Sequence, residues 1–392
     1  MDGLNFELTE EQQAFRASVR ELVEDKLAPR AHEIDAADEY PWDIDELLVK
    51  NGFAGVSYPE EHGGAGGGAI ELCILVEEIS RWSAGTSLIP AVNKLGAIPV
   101  LLAGSDEQKR LVSEGITNGA HRMSYCLTEP GSGSDAAAMK SRATKDGDAW
   151  VLNGSKRFIT GAGASDLYTY FAVSDAEGPK GKNITCFLLN QDLNGFELGK
   201  KEDKMGIRGS PTREVICNDV RVPAENVIGE VNEGFSIAMR TLDFSRPTVA
   251  AQALGIAQGA FDFAVDYCNE RRQFGKPISS FQGMQFMFAD MAMKLETARL
   301  AVYRAAKAVD DDGFHMGRGK GNVGYWAAIA KCWASDVAMS VTTDCVQALG
   351  GYGYVKEYPV ERLMRDAKIT QIYEGTNQIQ RVVIARQIFG KR

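Results

Sequence analysis

The spacing of apolar residues changes period twice along this chain, and no single layer of secondary structure can bury all three patterns. Up to about residue 122 the apolar positions recur at helical spacing. From there to about 233 they alternate or cluster as in strands, and after Gly234 the helical period returns. Helix stripes and strand faces bury surface at different repeats, so these stretches form separate layers. A chain of 392 residues also exceeds one ordinary core. The expected organisation is mainly α with a β-domain: helical over 1–122, β over 123–233 and helical over 234–392.

Local signals support this division. Thr9 with Gln12 three residues on fits a capping box, and Phe15, Val19, Leu22 and Val23 follow on one face. Leu47, Leu48 and Phe53 mark a second helical segment ending near Gly52. Residues 62–68 are glycine-dense and read as a loop, and helices are expected over 69–81 and 88–102. In the middle stretch, Asp146-Gly147 and Asn153-Gly154 read as tight hairpin turns around Trp150-Val151-Leu152. Phe158-Ile159-Thr160 and residues 167–173, 184–189 and 215–222 are strand candidates, together an antiparallel barrel or sandwich. Met284, Met287, Phe288, Met291 and Leu295, extended by Ala298 and Val302, form a helical stripe read as core. Residues 310–324, with glycines and three successive aspartates, read as a loop between two long helices; its His315 has no assigned role.

Composition excludes several function classes. The net charge is −10 and no long basic run occurs, which argues against nucleic acid as a partner. Seven irregularly spaced cysteines without a Cys-x-x-Cys pair read as buried free thiols, and the four histidines lack metal-ligand spacing, so no metal is expected. No apolar run reaches the roughly 18 residues of a membrane span. The polar, acidic start lacks the features of a secretory signal, and a cytoplasmic location is the expectation.

The run from Tyr125 to Asp135 holds Gly131 and Gly133 among small hydroxyls. Such a loop can present N–H groups to a phosphate, or be an ordinary turn. Neither a Rossmann fingerprint nor a Walker A sequence occurs. In its full length the run resembles the first signature of the acyl-CoA dehydrogenase family. The resemblance continues in order through Arg157-Phe158-Ile159-Thr160, Lys204-Met205-Gly206-Ile207-Arg208 and the 269–276 stretch. It ends with residues 347–381, which carry Leu349-Gly350-Gly351-Tyr352-Gly353 and Tyr373-Glu374-Gly375-Thr376. It covers almost the whole chain. The fold it implies is an N-terminal helical domain, a middle antiparallel β-barrel or sandwich and a C-terminal four-helix bundle.

The resemblance implies FAD as cofactor. Thr128, with the backbone near Tyr125 and Leu127, is similar to the family's contacts to the flavin pyrimidine. Phe158, Ile159 and Thr160 resemble the residues covering the ring, with Phe158 where many members have Trp. Ser134 resembles a pyrophosphate ligand that also borders the substrate. Arg271, Gln273, Phe274 and Gln282, with Gln347, Gly350 and Gly351, resemble groups that reach the FAD of a neighbouring subunit, which implies a homotetramer, a dimer of dimers. Thr376 and Gln378 resemble further flavin contacts. Taken alone, Arg271 could equally pair with Glu270 at the surface.

Glu374 aligns with the family's catalytic base; outside that context it would be an ordinary surface carboxylate. Tyr373 and Gly375 flank it, and Asp243 and Arg246 resemble residues holding the CoA portion. Some members place the base just before an arginine on another helix; here that position is Ser245, which cannot serve. The implied reaction takes the α-proton to Glu374 and the β-hydrogen as hydride to the flavin. It yields a trans-2-enoyl-CoA, with electrons passed to an electron-transferring flavoprotein. Desolvation is expected to raise the Glu374 pKa toward operating pH. An acyl-CoA oxidase, a non-redox acyl-CoA-binding relative and a non-catalytic scaffold are the alternatives. Chain length and the presence of Glu374 and the flavin residues weigh against them. The pocket is expected to be shaped by residues 86–102, where Pro90 is a candidate bend, by Phe244 and by the residues after Arg246. A short or branched acyl chain is favoured over a long one, and no extra arginine suggests a dicarboxylic substrate.

Overall fold

The computed structural model describes residues 7–313, 316 and 322–390. Helices come first: α1 (Glu10–Leu22), α2 (Ala31–Ala37), α3 (Trp42–Lys50), α4 (Ala69–Ser80), α5 (Ala84–Ala103) and α6 (Asp106–Thr117). Strands follow: β1 (Met123–Cys126), β2 (Arg142–Asp146), β3 (Ala149–Thr160), β4 (Leu167–Val173), β5 (Ile184–Asn190), β6 (Phe196–Leu198), β7 (Thr212–Pro223) and β8 (Val227–Ile228). Next come α7 (Gly234–Glu270), the short pair β9 (Arg272–Gln273) and β10 (Lys276–Pro277), and α8 (Gln282–Asp312). The chain closes with α9 (Val323–Leu349), α10 (Pro359–Thr370) and α11 (Asn377–Phe389).

The helices begin and pack for the reasons visible in the sequence. Thr9 Oγ1 accepts from Gln12 N at 3.2 Å, and Gln12 Oε1 accepts from Thr9 N at 3.1 Å, so two otherwise orphaned donors of α1 are satisfied. Met291, Leu295, Ala298 and Val302 of α8 are buried against α7 and α9, with Met287 and Phe288 packed beside them. All seven cysteines are free and buried. Helix α8 runs on through Asp312, so the loop begins later than the glycine and aspartate run suggests. Asp310 accepts from Ala69 N at 2.6 Å and Ile70 N at 3.2 Å, placing its charge at the positive end of α4. His315 lies outside the described residues.

Helix α5 departs from the sequence reading in its length and apolarity. It is long and apolar enough, by length and composition, to cross a membrane, but most of it is buried inside the protein. It also runs without a break through Pro90 and Pro99. Neighbouring helices on a buried segment supply packing that outweighs the lost N–H donor of each proline.

The sheet runs β6-β7-β3-β2-β4-β5-β8, with β1 on β4. Most pairs are antiparallel; β1 lies parallel to β4, as does one residue pair of β2 with β4. Asp146-Gly147 forms the expected hairpin, with Asp146 opposite Ala149. Asn153-Gly154 does not turn the chain. β3 continues through it, and its register against β7 shifts between Leu152 and Gly154, a β-bulge. Gly154 has φ +143°, and Asn153 exchanges hydrogen bonds with Asp219 across the bulge, each 2.9 Å. The dipeptide signals an unusual backbone angle, and the long partner strand β7 decides that it bends rather than reverses the chain.

Helix α7 joins the layers. Its first residue sits against β5, where a Cβ on Gly234 would lie 2.7 Å from Cys186 N. Further along it crosses α4 so closely that a Cβ on Gly255 would lie 2.2 Å from Glu77 O. A second tie runs from the β-region to α10: Ile207, held at φ +48°, donates its N–H to buried Asp366 at 2.6 Å. Burial raises Asp366 to about 6, against the opposing pull of the Ile207 N–H and Arg362. A carboxyl with a higher pKa folded than unfolded binds its proton more tightly in the fold. Its contribution to stability is present below about pH 4 and lost as pH rises toward 6. Asp366→Asn cannot ionise. Urea titrations should show wild type losing stability relative to this variant between pH 4 and 6, with a constant difference above.

Candidate active site

A cavity of about 650 Å³ opens between the sheet and helices α5, α7 and α11. Loop 127–137 and the end of β3 form one wall. Leu88, Ala91, Val92 and Leu95 of α5 close one side, and Glu374 enters from the segment between α10 and α11. Loop shape is set by Glu129, whose buried carboxylate accepts from Lys140 N, Ser141 N and, at 2.7 Å, Lys156 Nζ. Burial alone would raise its pKa, but Lys156 and these donors hold it below the usual carboxylate range.

Glu374 and Gly375 are both left-handed, at φ +51° and +92°. A left-handed backbone costs a non-glycine residue about 1–2 kcal/mol, so surrounding bonds must hold it. Gly375 O accepts from Lys331 Nζ at 2.7 Å and Gln380 Nε2 at 2.9 Å. Glu374 O accepts from Gln380 Nε2 at 3.2 Å and Arg246 Nε at 3.4 Å. Thr376 caps α11 by accepting from Ile379 N. On the side chain, Ser245 Oγ donates to Glu374 Oε2 at 2.5 Å. Removal from water pushes the Glu374 pKa up; the Ser245 bond and the charges of Arg246 and Lys331 limit the rise. Arg246 is itself held by Asp243 at 2.9 Å. No intramolecular hydrogen bond engages the Glu374 N–H among the described residues.

The expected site residues separate into three groups. Tyr125, Leu127, Thr128, Ser134, Phe158, Ile159, Thr160, Arg246, Tyr373, Glu374 and Gly375 all line this cavity. Arg271, Gln273, Gln347, Gly350 and Gly351 instead line a separate cavity of about 850 Å³ with Tyr267 and Tyr352. Phe274 (93% exposed), Gln282 and Gln378 are on the surface; with Asp243 and Thr376 they are absent from both linings. Sequence reasoning misses three contributors. It finds Ser245 only unable to be the base, yet the hydroxyl donates to Glu374. Buried Lys331 and Gln252 give one signal, a polar residue inside an alanine-rich helical stretch.

The residues present fit a flavin dinucleotide. Phe158 is held at φ +59° and is 61% exposed, so its face is available to a planar ring. Gly131, Gly133, Gly350 and Gly351 each face open space where a Cβ would be, leaving their backbone approachable. Arg271 stacks over the Tyr352 ring at 5.1 Å and makes no ion pair among the described residues, which leaves its fork for a phosphate.

Comparison with known proteins agrees with this geometry. The chain matches the N-terminal, middle and C-terminal domain models of acyl-CoA dehydrogenase over residues 9–120, 124–220 and 232–389. It is 50% identical to probable acyl-CoA dehydrogenase FadE25 of Mycobacterium tuberculosis, over 98% of this chain and 96% of the relative. Butyryl-CoA dehydrogenase from Megasphaera elsdenii superposes with a TM-score of 0.93 at 44% identity, covering 98% of this chain and 100% of that one. A chain in a structure described as the electron transferring flavoprotein of Acidaminococcus fermentans superposes with a TM-score of 0.94 at 46% identity, covering 99% and 100%.

The turn at Gly375 can be tested by itself. An added Cβ would meet Gln380 Nε2 at 2.7 Å, at a φ that L-residues rarely adopt. Gly375→Ala should destabilise the protein by about 1–3 kcal/mol, read as a lower urea midpoint. An unchanged midpoint would mean that the turn relaxes freely.

Proposed function

The chain belongs to the acyl-CoA dehydrogenase family, and on that premise we propose that it dehydrogenates a short- or branched-chain acyl-CoA with Glu374 as base. It is an oxidoreductase of a FAD-dependent family. The observation that carries the finer reading is the Glu374 carboxylate, on a left-handed turn in an apolar cavity, facing the Tyr125–Thr160 wall.

Glu374 in its carboxylate form takes the α-proton. Burial makes it a stronger base than a solvated glutamate, while Ser245, Arg246 and Lys331 keep the ionised form accessible. The unengaged Glu374 N–H is a donor for the thioester oxygen, where charge develops as the proton leaves; such a donor is typically worth about 3–4 kcal/mol. Tyr125, Leu127, Thr128, Ser134, Phe158, Ile159 and Thr160 would hold FAD, which when bound would supply the acceptor for the hydride leaving the β-carbon. A C=C bond forms between those carbons, giving a trans-2-enoyl-CoA. Asp243 and Arg246 orient the CoA portion.

Pocket depth supports a small acyl group. Gln252 is buried at the α5 side, where Nε2 donates to Ala84 O and Ser87 Oγ, each 3.0 Å, and Oε1 accepts from Tyr373 OH. A buried amide with both ends satisfied is costly to displace, which supports Gln252 as a fixed wall of the cavity against a longer acyl chain. Leu88, Ala91, Val92 and Leu95 on that side offer no cation to a second carboxylate. The likeness to a butyryl-CoA dehydrogenase supports the same size class.

Residues 1–122, 123–233 and 234–392 form the three domains. The second cavity, with Arg271, Gln273, Gln347, Gly350 and Gly351, would receive the FAD of a neighbouring subunit in a homotetramer, with Phe274 and Gln282 contributing from the surface outside that lining. Thr376 and Gln378, which follow Glu374, are further flavin contacts. Electrons pass to an electron-transferring flavoprotein, a partner supported by the likeness to a chain in such a structure.

Two measurements test this reading. Anaerobic addition of butyryl-CoA should bleach the purified yellow protein. Glu374→Gln should keep its FAD absorbance yet reduce the bleaching rate about a thousandfold; a variant that still bleaches at the wild-type rate removes Glu374 as base. Gln252→Ala should move the kcat/KM optimum toward longer chains, raising hexanoyl-CoA over butyryl-CoA by about tenfold. An unmoved optimum would place the depth limit elsewhere.

A further inference from the structure

A lysine without access to solvent stands behind the Glu374 turn. Lys331 of α9 is 0% exposed. Its Nζ donates to Gly375 O at 2.7 Å and to Asn377 Oδ1 at 2.9 Å, one on each side of the strained turn's exit. Asn377 is tied back to the same helix: its Nδ2 donates to Ser335 Oγ and Asp336 Oδ1, each 2.8 Å. Asp336 also accepts from Gln371 at the entrance to the turn. One face of α9 therefore grips both ends of the segment carrying the carboxylate.

We propose that Lys331 is a positioning residue for Glu374: its two hydrogen bonds hold the left-handed turn, and its buried positive charge favours the ionised carboxylate. This rests on Glu374 being the base. An ordinary structural lysine would snorkel to solvent, whereas this one spends its donors on the turn. A lone ammonium in an apolar interior is strongly disfavoured, so a nearby anion is the natural counterpart. The charged and titratable groups facing it are Glu374 on the turn, Arg246 on α7, Cys332 and Asp336 on α9, and Arg381 on α11, which pairs with Asp336 at 2.7 Å. Burial lowers Lys331 to about 8, and Glu374 opposes that fall, so the ammonium predominates at neutral pH. Deleting the charge then moves Glu374 toward its protonated form.

The test does not depend on turnover. The infrared band of the protonated carboxyl that Glu374→Gln removes is titrated against pH in the FAD-loaded protein. Lys331→Met should shift its midpoint up by about one pH unit, tenfold in the proton equilibrium, and Lys331→Arg should leave it near wild type. Lys331→Gln keeps a donor for Gly375 O but no charge; it should show the same shift and serves if the Met variant does not fold. In stopped-flow flavin reduction, kcat should fall in Lys331→Met with little change in KM, and recover as pH passes the shifted midpoint. An unshifted midpoint in a folded charge-deleted variant overturns the role of Lys331 while leaving Glu374 as base. Loss of the proposed base itself would appear separately, as wild-type bleaching that Glu374→Gln does not slow.

Discussion

A carboxylate placed in an apolar cavity on a backbone turn that glutamate disfavours is held only if everything around it is already in position. The Glu374–Gly375 turn receives bonds from Lys331 on α9, from Arg246 and Ser245 on α7, and from Gln380 on α11. Three helices, α7, α9 and α11, therefore meet at a single strained peptide. The strain and the desolvation of the carboxylate are local costs, offset by bonds that exist only when the whole C-terminal bundle is assembled.

Helix α7 carries much of that assembly. Its N-terminus lies against β5, its middle supplies Ser245, Arg246 and Gln252 to the cavity, and its later turns cross α4. The site is therefore a junction of layers. The β-domain brings Phe158 and the 127–137 loop, the N-terminal helices bring α5, and α7 sets the distance between them. Small residues at the crossings make the distance short: a side chain at Gly234 or Gly255 would drive backbone apart.

Much of this organisation is legible in the order of the amino acids. The Thr9–Gln12 cap, the Met291-to-Val302 stripe and the change of period near 123 and 234 follow from local rules, because caps and stripes are properties of a few residues at fixed spacing. The lining of the main cavity by Thr128, Phe158, Arg246 and Glu374 follows from family resemblance rather than from local physics, since residues more than 200 positions apart give no local sign that they meet. Where local rules fail, a tertiary partner intervenes. β7 turns the Asn153-Gly154 signal into a bulge, and Asp310 is drawn into helix α8 and onto the α4 N-terminus.

The sequence by itself determined the order of helical and β layers, which depends on short-range spacing that a chain carries whether or not it is folded. Its resemblance to a known family, and not composition or spacing, pointed to the acid between Tyr373 and Gly375 and to the residues expected around a flavin and a thioester. Tertiary structure alone decided that Ser245 touches Glu374, that Lys331 grips the turn behind it, and that Gln252 in the cavity lining accepts from Tyr373. It also divided most of the expected cofactor residues between two cavities and left Phe274, Gln282, Thr376 and Gln378 outside both linings. Each of these is a contact between distant segments, and its energy exists only when packing has removed water and brought the partners within hydrogen-bond distance.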